Sequence, residues 1–131
     1  NKALPYDRYY SKLMDLSGWI YTNILRFGKY ENESIVKFAA AGENSNVLDY
    51  GCNTGRHASY VKQAYGYNVM GADINTTAIA ACKRKGIKAE VITKEFFEKY
   101  SLFFDIIINS HVLEHVDDPK DFLVNIRGIL K

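Results

Sequence analysis

Short apolar runs alternate with stretches of helical spacing from about residue 46 to the end of the chain. The first run begins at Val47-Leu48, the second spans Tyr67–Asp73, the third Ile87–Thr93 and the fourth Phe104–Asn109. Between the first two, Ala58, Val61 and Tyr65 recur at helical intervals and Gly66 stops them. Asn75 then caps a segment carrying Ala78, Ile79 and Cys82, which ends at Gly86. Phe96 and Phe97 open a short helix or loop. Asp118 is a good N-cap with Pro119 at the first helical position, and Phe122, Leu123, Ile126, Ile129 and Leu130 form one face of the last helix. The unbroken run Phe104–Asn109 suits a strand covered on both faces. Strands alternating with helices at these lengths predict a parallel sheet with crossover helices, an α/β fold of about four strands.

Residues 1–44 precede the first strand and read as helical. Tyr6, Tyr9, Tyr10, Leu13, Met14 and Leu16 give one ragged face. Trp19, Ile20, Ile24, Leu25 and Phe27 give a second, ending near Gly28. Ile35, Val36, Phe38 and Ala39 suggest a third helix, opened by the polar Glu31–Ser34 and closed by Gly42. Core packing explains these aromatics most simply; a lid over a ligand is the sharper reading. The 131 residues are expected to form one domain, with 1–44 as an N-terminal helical segment or lid and 45–131 as the core.

Composition narrows the class without naming it. A net charge of +2 is small, and the cations are scattered apart from Lys83-Arg84-Lys85, a cluster that suits the last turn of a helix. A nucleic-acid partner is therefore not expected. Cys52 and Cys82 lack metal-ligand spacing and fit a reduced, cytoplasmic setting. No apolar run is long enough for a membrane span, and no signal peptide is visible. The first residue is Asn, which suggests a processed or excised segment.

The candidate chemistry lies at the strand ends, where ligands bind in open parallel sheets. After Val47-Leu48 the chain sets Asp49, Gly51, Asn53 and Gly55 at alternate positions and runs through Arg56-His57-Ala58 into a helix. Glycines there let the backbone turn sharply and let a ligand approach closely. The following helix offers unpaired N–H groups to polar or negative parts of that ligand. Asp73 ends the second strand, and a carboxylate there can accept two hydrogen bonds from a ribose diol. Glu95 follows the third strand, and Asn109, Ser110 and His111 follow the fourth.

On these residues the sequence resembles the class I S-adenosylmethionine-dependent methyltransferases, over roughly Ile35 to Lys131. The family's first motif, Asp-x-Gly-x-Gly-x-Gly, is matched by Asp49, Gly51 and Gly55, with Asn53 in place of the middle glycine. Phe104–Pro119 resembles its fourth motif. The resemblance implies a Rossmann-like fold and S-adenosyl-L-methionine as cofactor, with S-adenosyl-L-homocysteine as product. It implies that backbone from Gly51 through Cys52 to Asn53 contacts the methionine portion, with Asp49 near its amino group. Asp73 would hold the ribose hydroxyls, and Ile74 would pack on adenine. Glu95 and the Phe96 backbone would touch the adenine edge, and Asn109, at the end of the fourth strand, is a further candidate cofactor-binding residue. His111 lies where an acceptor would meet the methyl group and is the candidate catalytic base.

Two other patterns compete with this resemblance. His111-Val-Leu-Glu-His115 matches the His-x-x-Glu-His pattern of inverted zinc peptidases and resembles a metal-binding stretch of small-RNA 2′-O-methyltransferases. A zinc peptidase needs that pattern on a regular helix with a further ligand. Here it follows a buried strand and runs into Asp117-Asp118-Pro119, so no metal is expected. A dinucleotide fingerprint wants Gly-x-Gly-x-x-Gly beside a pyrophosphate, where Asp49 would be unwelcome. The expected activity is methyl transfer to a small-molecule or glycan-type O, N or C acceptor. The alternative is a cofactor-binding or interaction fragment, inactive without further strands or a partner chain. An exposed edge of the fourth strand would then invite a homodimer or another chain.

Overall fold

Four parallel strands make the centre of the computed structural model, which describes residues 16, 17, 19, 20, 27–38 and 44–131. They are β1 (Asn46–Tyr50), β2 (Asn68–Asp73), β3 (Lys88–Val91) and β4 (Ile106–Ile108), in the order β3-β2-β1-β4. Val47 stands between Val69 and Ile106, and Asp49 between Gly71 and Ile108. The chain steps outward from β1 to β3 and then returns to the other side of β1. Strand order therefore reverses between β1 and β4, and the carboxyl ends there form the crevice in which such sheets bind ligands.

Helices α2 (Arg56–Tyr65) and α3 (Thr76–Arg84) cover one face of this sheet. Ala58, Val61, Ile79 and Cys82 meet Val47, Val69, Ala89 and Ile108 there. Helices α4 (Lys94–Lys99) and α5 (Pro119–Ile129) cover the other, with Phe96, Phe122 and Ile129 against Leu48, Tyr50, Met70 and Ala72. Adjacent strand residues thus enter opposite cores, which is why Val47-Leu48 in β1 and Val69-Met70 in β2 are consecutive apolar pairs. Each fully buried side chain such as Leu48 or Val61 contributes about 2 kcal/mol by leaving water.

The helix ends follow the expected chemistry. Gly66 adopts φ 66° and returns its N–H to the Lys62 carbonyl. The Asn75 side chain accepts from Thr77 N–H, and the Thr93 hydroxyl accepts from Phe96 N–H. Asp118 accepts from both Lys120 and Asp121 N–H, with Pro119 next to it.

Several expectations need correction. Helix α1 spans Phe27–Phe38, so Gly28 does not end a helix and Glu31–Ser34 does not open one. A glycine inside a helix costs only about 1 kcal/mol, which the rest of the helix can carry. Leu16, Trp19 and Ile20 are helical and exposed rather than buried. The other positions of the first two aromatic faces, Phe27 apart, lie outside the described residues. The regular part of β4 is three residues long, and Ile106 and Ile107 are only partly buried. Leu123 is about half exposed on the outer side of α5. Leu130 leaves the helix and pairs in parallel with Phe104, outside β4. Phe104 N–H donates to the Ile129 carbonyl and Lys131 N–H to the Phe104 carbonyl. Lys131 Nζ also reaches Asp105 at 2.9 Å, whose other oxygen accepts Asn46 N–H.

Two compact units divide the chain, Asn1–Ser34 and Ile35–Lys131, and the second carries the whole sheet. Among the described residues no helix is long and apolar enough to cross a membrane.

Candidate cofactor site

Three residues in five adopt the left-handed conformation just beyond β1: Gly51 (φ 74°), Asn53 (φ 46°) and Gly55 (φ 74°). Asn enters that region more readily than most side chains, so its place between two glycines is the least costly departure from glycine. Gly51 and Cys52 both donate N–H to the Ala72 carbonyl, at 2.8 and 3.0 Å, and Gly55 N–H closes the turn onto the Cys52 carbonyl. The turn is thereby fixed to the end of β2. A Cβ on Gly51 would overlap the Val112 side chain, and one on Gly55 would lie 2.9 Å from Cys82 Sγ. The room at Gly51 is thus taken by the loop after β4, where the sequence had suggested space for a ligand.

Two carboxylates flank the turn and are used differently. Asp49 is 2% exposed, and its Oδ2 accepts Ala58 N–H at 3.0 Å in the first turn of α2. Burial pushes its carboxyl up to about 6, against the pull of the Ala58 N–H and Arg56 and with some help from Asp73. Asp73 sits at the rim. Its Oδ2 accepts Asn53 N–H and its Oδ1 accepts Asn75 N–H, each at 2.9 Å. One acid therefore ties the turn to the cap of α3, and each of its oxygens keeps a second lone pair for a ligand hydroxyl. Beside it, Ile74 is 78% exposed, an apolar platform at the strand tip.

The underside of the turn holds two residues that sequence reasoning missed as site components. Cys82 Sγ donates to the Asn53 carbonyl at 3.2 Å, and Lys85 Nζ donates to the Thr54 carbonyl at 2.8 Å. Both come from the end of α3. In the sequence Lys85 belongs to a solvated basic turn, and nothing local to it signals a partner 31 positions away.

The remaining candidates gather at the ends of β3 and β4. Glu95 is exposed in the first turn of α4, and bonds from the Thr93 hydroxyl and its own N–H hold its carboxyl below the usual range. The Phe96 ring is buried in the core, with its N–H turned to Thr93 Oγ1 at 3.4 Å. Asn109 is exposed just past β4. His111 is exposed with φ 56°, and its Nδ1 lies 3.3 Å from Glu114 Oε1. His111 lies in a loop, and Leu113–His115 is a single 3-10 turn, not the regular helix a zinc-peptidase pattern requires. A shallow apolar groove on α5, lined by Pro119, Lys120, Leu123, Val124 and Arg127, shares none of these residues.

Residues 24–131 match the family described as a methyltransferase domain. The chain belongs to that family. This methyltransferase domain, of the class I S-adenosylmethionine-dependent type, is 31% identical over 90 residues to a ubiquinone biosynthesis O-methyltransferase of Rickettsia felis, a match covering 65% of the chain and 36% of that protein. It is 26% identical over 120 residues to the protein of the same description from Maricaulis maris, covering 83% of the chain and 47% of the relative. The domain thus spans between a third and a half of the length of the curated relatives it matches. A solved S-adenosylmethionine-dependent methyltransferase from Archaeoglobus fulgidus superposes with a TM-score of 0.63 at 22% identity, over 79% of this chain and 48% of that one. That likeness concerns the fold: an α/β sheet in the order 3-2-1-4, Rossmann-like.

The family's cofactor is S-adenosyl-L-methionine. The donor set in this methyltransferase domain suits it. A rim carboxylate with lone pairs to spare beside an exposed isoleucine fits a ribose next to an adenine face, and a buried acid behind a left-handed turn fits an ammonium.

Proposed function

We propose that residues 45–131 bind S-adenosyl-L-methionine across the tips of β1 and β2, and that the domain transfers the methyl group to a small-molecule acceptor. When bound, the cofactor supplies a methyl group activated by its sulfonium. The chain's own residues position it. Asp73 receives the ribose hydroxyls and Ile74 lies against adenine. Glu95 and the Phe96 backbone meet the adenine edge. Asp49 supplies the charge facing the amino group, with Gly51, Cys52 and Asn53 as the backbone beneath. Asn109 adds a cofactor contact at the end of β4, and His111 stands on the acceptor side.

The O-methyltransferase relatives favour an oxygen acceptor over nitrogen or carbon. An oxygen nucleophile needs a base. Glu114 Oε1 beside His111 Nδ1 favours the tautomer that carries its proton on Nδ1, which makes Nε2 the basic nitrogen. His111 would then take the proton of an acceptor hydroxyl as the methyl transfers. We place this activity in a reducing, cytoplasmic setting, which suits a chain with two cysteines in unrelated sequence patterns.

The observation that carries this reading is the Asp73 carboxylate, bonded to the Asn53 amide of the turn and flanked by exposed Ile74. Calorimetry with S-adenosyl-L-homocysteine tests it. The parent should bind, and Asp73→Asn, which turns one oxygen into a donor facing a backbone N–H, should bind at least about tenfold more weakly. A parent chain that is folded and does not bind would end the proposal.

A second reading rests on β4. Beyond Phe104, among the described residues, its outer edge at Ile106–Ile108 lacks a partner strand. That edge would receive a strand from another copy or another chain, with turnover appearing only in the assembly. Gel filtration across a concentration range decides it: a monomer that turns over unaided would dismiss this reading.

A further inference from the structure

Two thiols meet under the turn. Cys52 Sγ on the turn and Cys82 Sγ on α3 lie 3.6 Å apart, and both are buried. A glycine keeps space for each of them. A Cβ on Gly71 would come within 2.7 Å of Cys52 Sγ, and one on Gly55 within 2.9 Å of Cys82 Sγ. Both thiols also point at one acceptor, the Asn53 carbonyl, at 3.7 Å from Cys52 and 3.2 Å from Cys82. Asn53 is the residue held at φ 46° whose N–H is bonded to Asp73.

We propose that Cys52 and Cys82 are a dithiol modification site that closes to an intramolecular disulfide and so deprives the Asn53 carbonyl of its thiol donors. The co-reactant is a small disulfide, RSSR. One cysteine thiolate attacks it, forming a mixed disulfide and expelling RS⁻. The second cysteine thiolate then attacks the protein sulfur of that mixed disulfide, forming the Cys52–Cys82 bond and expelling the second RS⁻. The two thiol protons pass to the expelled thiolates. Two protein thiols and one RSSR thus become one protein disulfide and two RSH.

Closure requires the sulfurs to approach from 3.6 Å to about 2.05 Å. Burial pushes both thiols above their usual range, so attack waits for the turn to open. Once both S–H groups are gone, Asn53 keeps its Asp73 bond but its carbonyl has no thiol donor, and the Lys85 bond to Thr54 remains beneath the turn. The turn loosens where, on the reading above, it would carry the methionine portion of the cofactor.

The test treats the reduced chain with 2-hydroxyethyl disulfide, quenches with acid and weighs the product after alkylation. The parent should lose about 2 Da with no alkylated cysteine, and Cys82→Ala should stop at the mixed disulfide. Amide deuterium exchange over residues 51–58 should quicken about fivefold in the cross-linked parent, the effect of losing the two thiol hydrogen bonds, each weaker than an ordinary one. Affinity for S-adenosyl-L-homocysteine should fall by a similar factor. Cys82→Ala, confirmed as folded by circular dichroism, controls for simple thiol blocking. A parent that stays unreacted, or stops at the mixed disulfide, when its unfolded form reacts fully would overturn the proposal. So would a cross-link that leaves amide exchange unchanged. The exchange measurement needs no nucleoside, so a reduced chain that fails to bind would sink the cofactor reading alone.

Discussion

Asp49 is an acid kept where its charge is resisted. Its carboxyl is raised from 3.8 to about 6 by burial, so ionisation costs the folded chain what it does not cost the unfolded one. The protonated form is tolerated below about pH 4, and stability falls as the pH climbs from there through 6, by up to about 3 kcal/mol. Asp49→Asn keeps an acceptor for Ala58 N–H and removes that cost. It should melt higher than the parent at pH 7.5, with the difference vanishing near pH 4, in thermal scans across that range. The same charge should matter for the ligand in the opposite sense. S-adenosyl-L-homocysteine affinity should weaken in the parent below about pH 6, and be weak at every pH in the Asn variant.

Gly51 carries two costs that a double substitution separates. Gly51→Ala would strain a left-handed residue and overlap Val112, a loss of about 2–4 kcal/mol in urea unfolding. Adding Val112→Ala should return the steric part and leave about 1–2 kcal/mol of backbone strain. Equal losses in the single and double variants would show that Val112 is not what fills that space. The left-handed turn itself was visible in the sequence, because alternating small residues after an apolar strand announce it. The occupant of the space was not, since Val112 lies 61 positions further on.

Among the elements, local rules worked where the energy is local. Asn75 and Asp118 were recognisable as caps because a cap bonds amides two or three residues away. Asp118→Ala should therefore cost about 1 kcal/mol, read as a lowered denaturation midpoint with an unchanged slope. The end of α5 shows the opposite case. Ile126, Ile129 and Leu130 fit a helical face, yet Leu130 is extended beside Phe104, a pairing set by chain 26 residues away. Glycine misled in the same way at position 28, where a common helix stop stands inside α1. Periodicity also put Leu123 on one face with Phe122 and Ile129, yet those two are buried while Leu123 is about half exposed.

At the scale of the whole molecule, the parallel sheet and its covering helices follow from alternating strands and helices and were legible, whereas the strand order rests on which strands pair across the sheet. So were the strand-end acids, because the fold gathers strand ends at one rim. What the sequence concealed is how the turn is held from beneath by α3. Lys85→Met deletes the bond to the Thr54 carbonyl, at an exposed position where stability should move by less than about 0.5 kcal/mol. Its effect should appear instead as faster amide exchange in the turn and weaker S-adenosyl-L-homocysteine binding. Unchanged exchange would mean that Cys82 and Asp73 hold the turn without it.

Gly71 stands in mid-strand with no bend to make, and its missing side chain is what lets the Cys52 thiol lie flat against β2. Positions 52 and 71 therefore share one small volume and are not independent letters of the sequence. Alanine at 71 would be admissible only alongside glycine at 52, so the pair should tolerate a joint exchange that neither accepts alone. Such an exchange would also erase the sulfur chemistry, leaving a turn that no disulfide could reach.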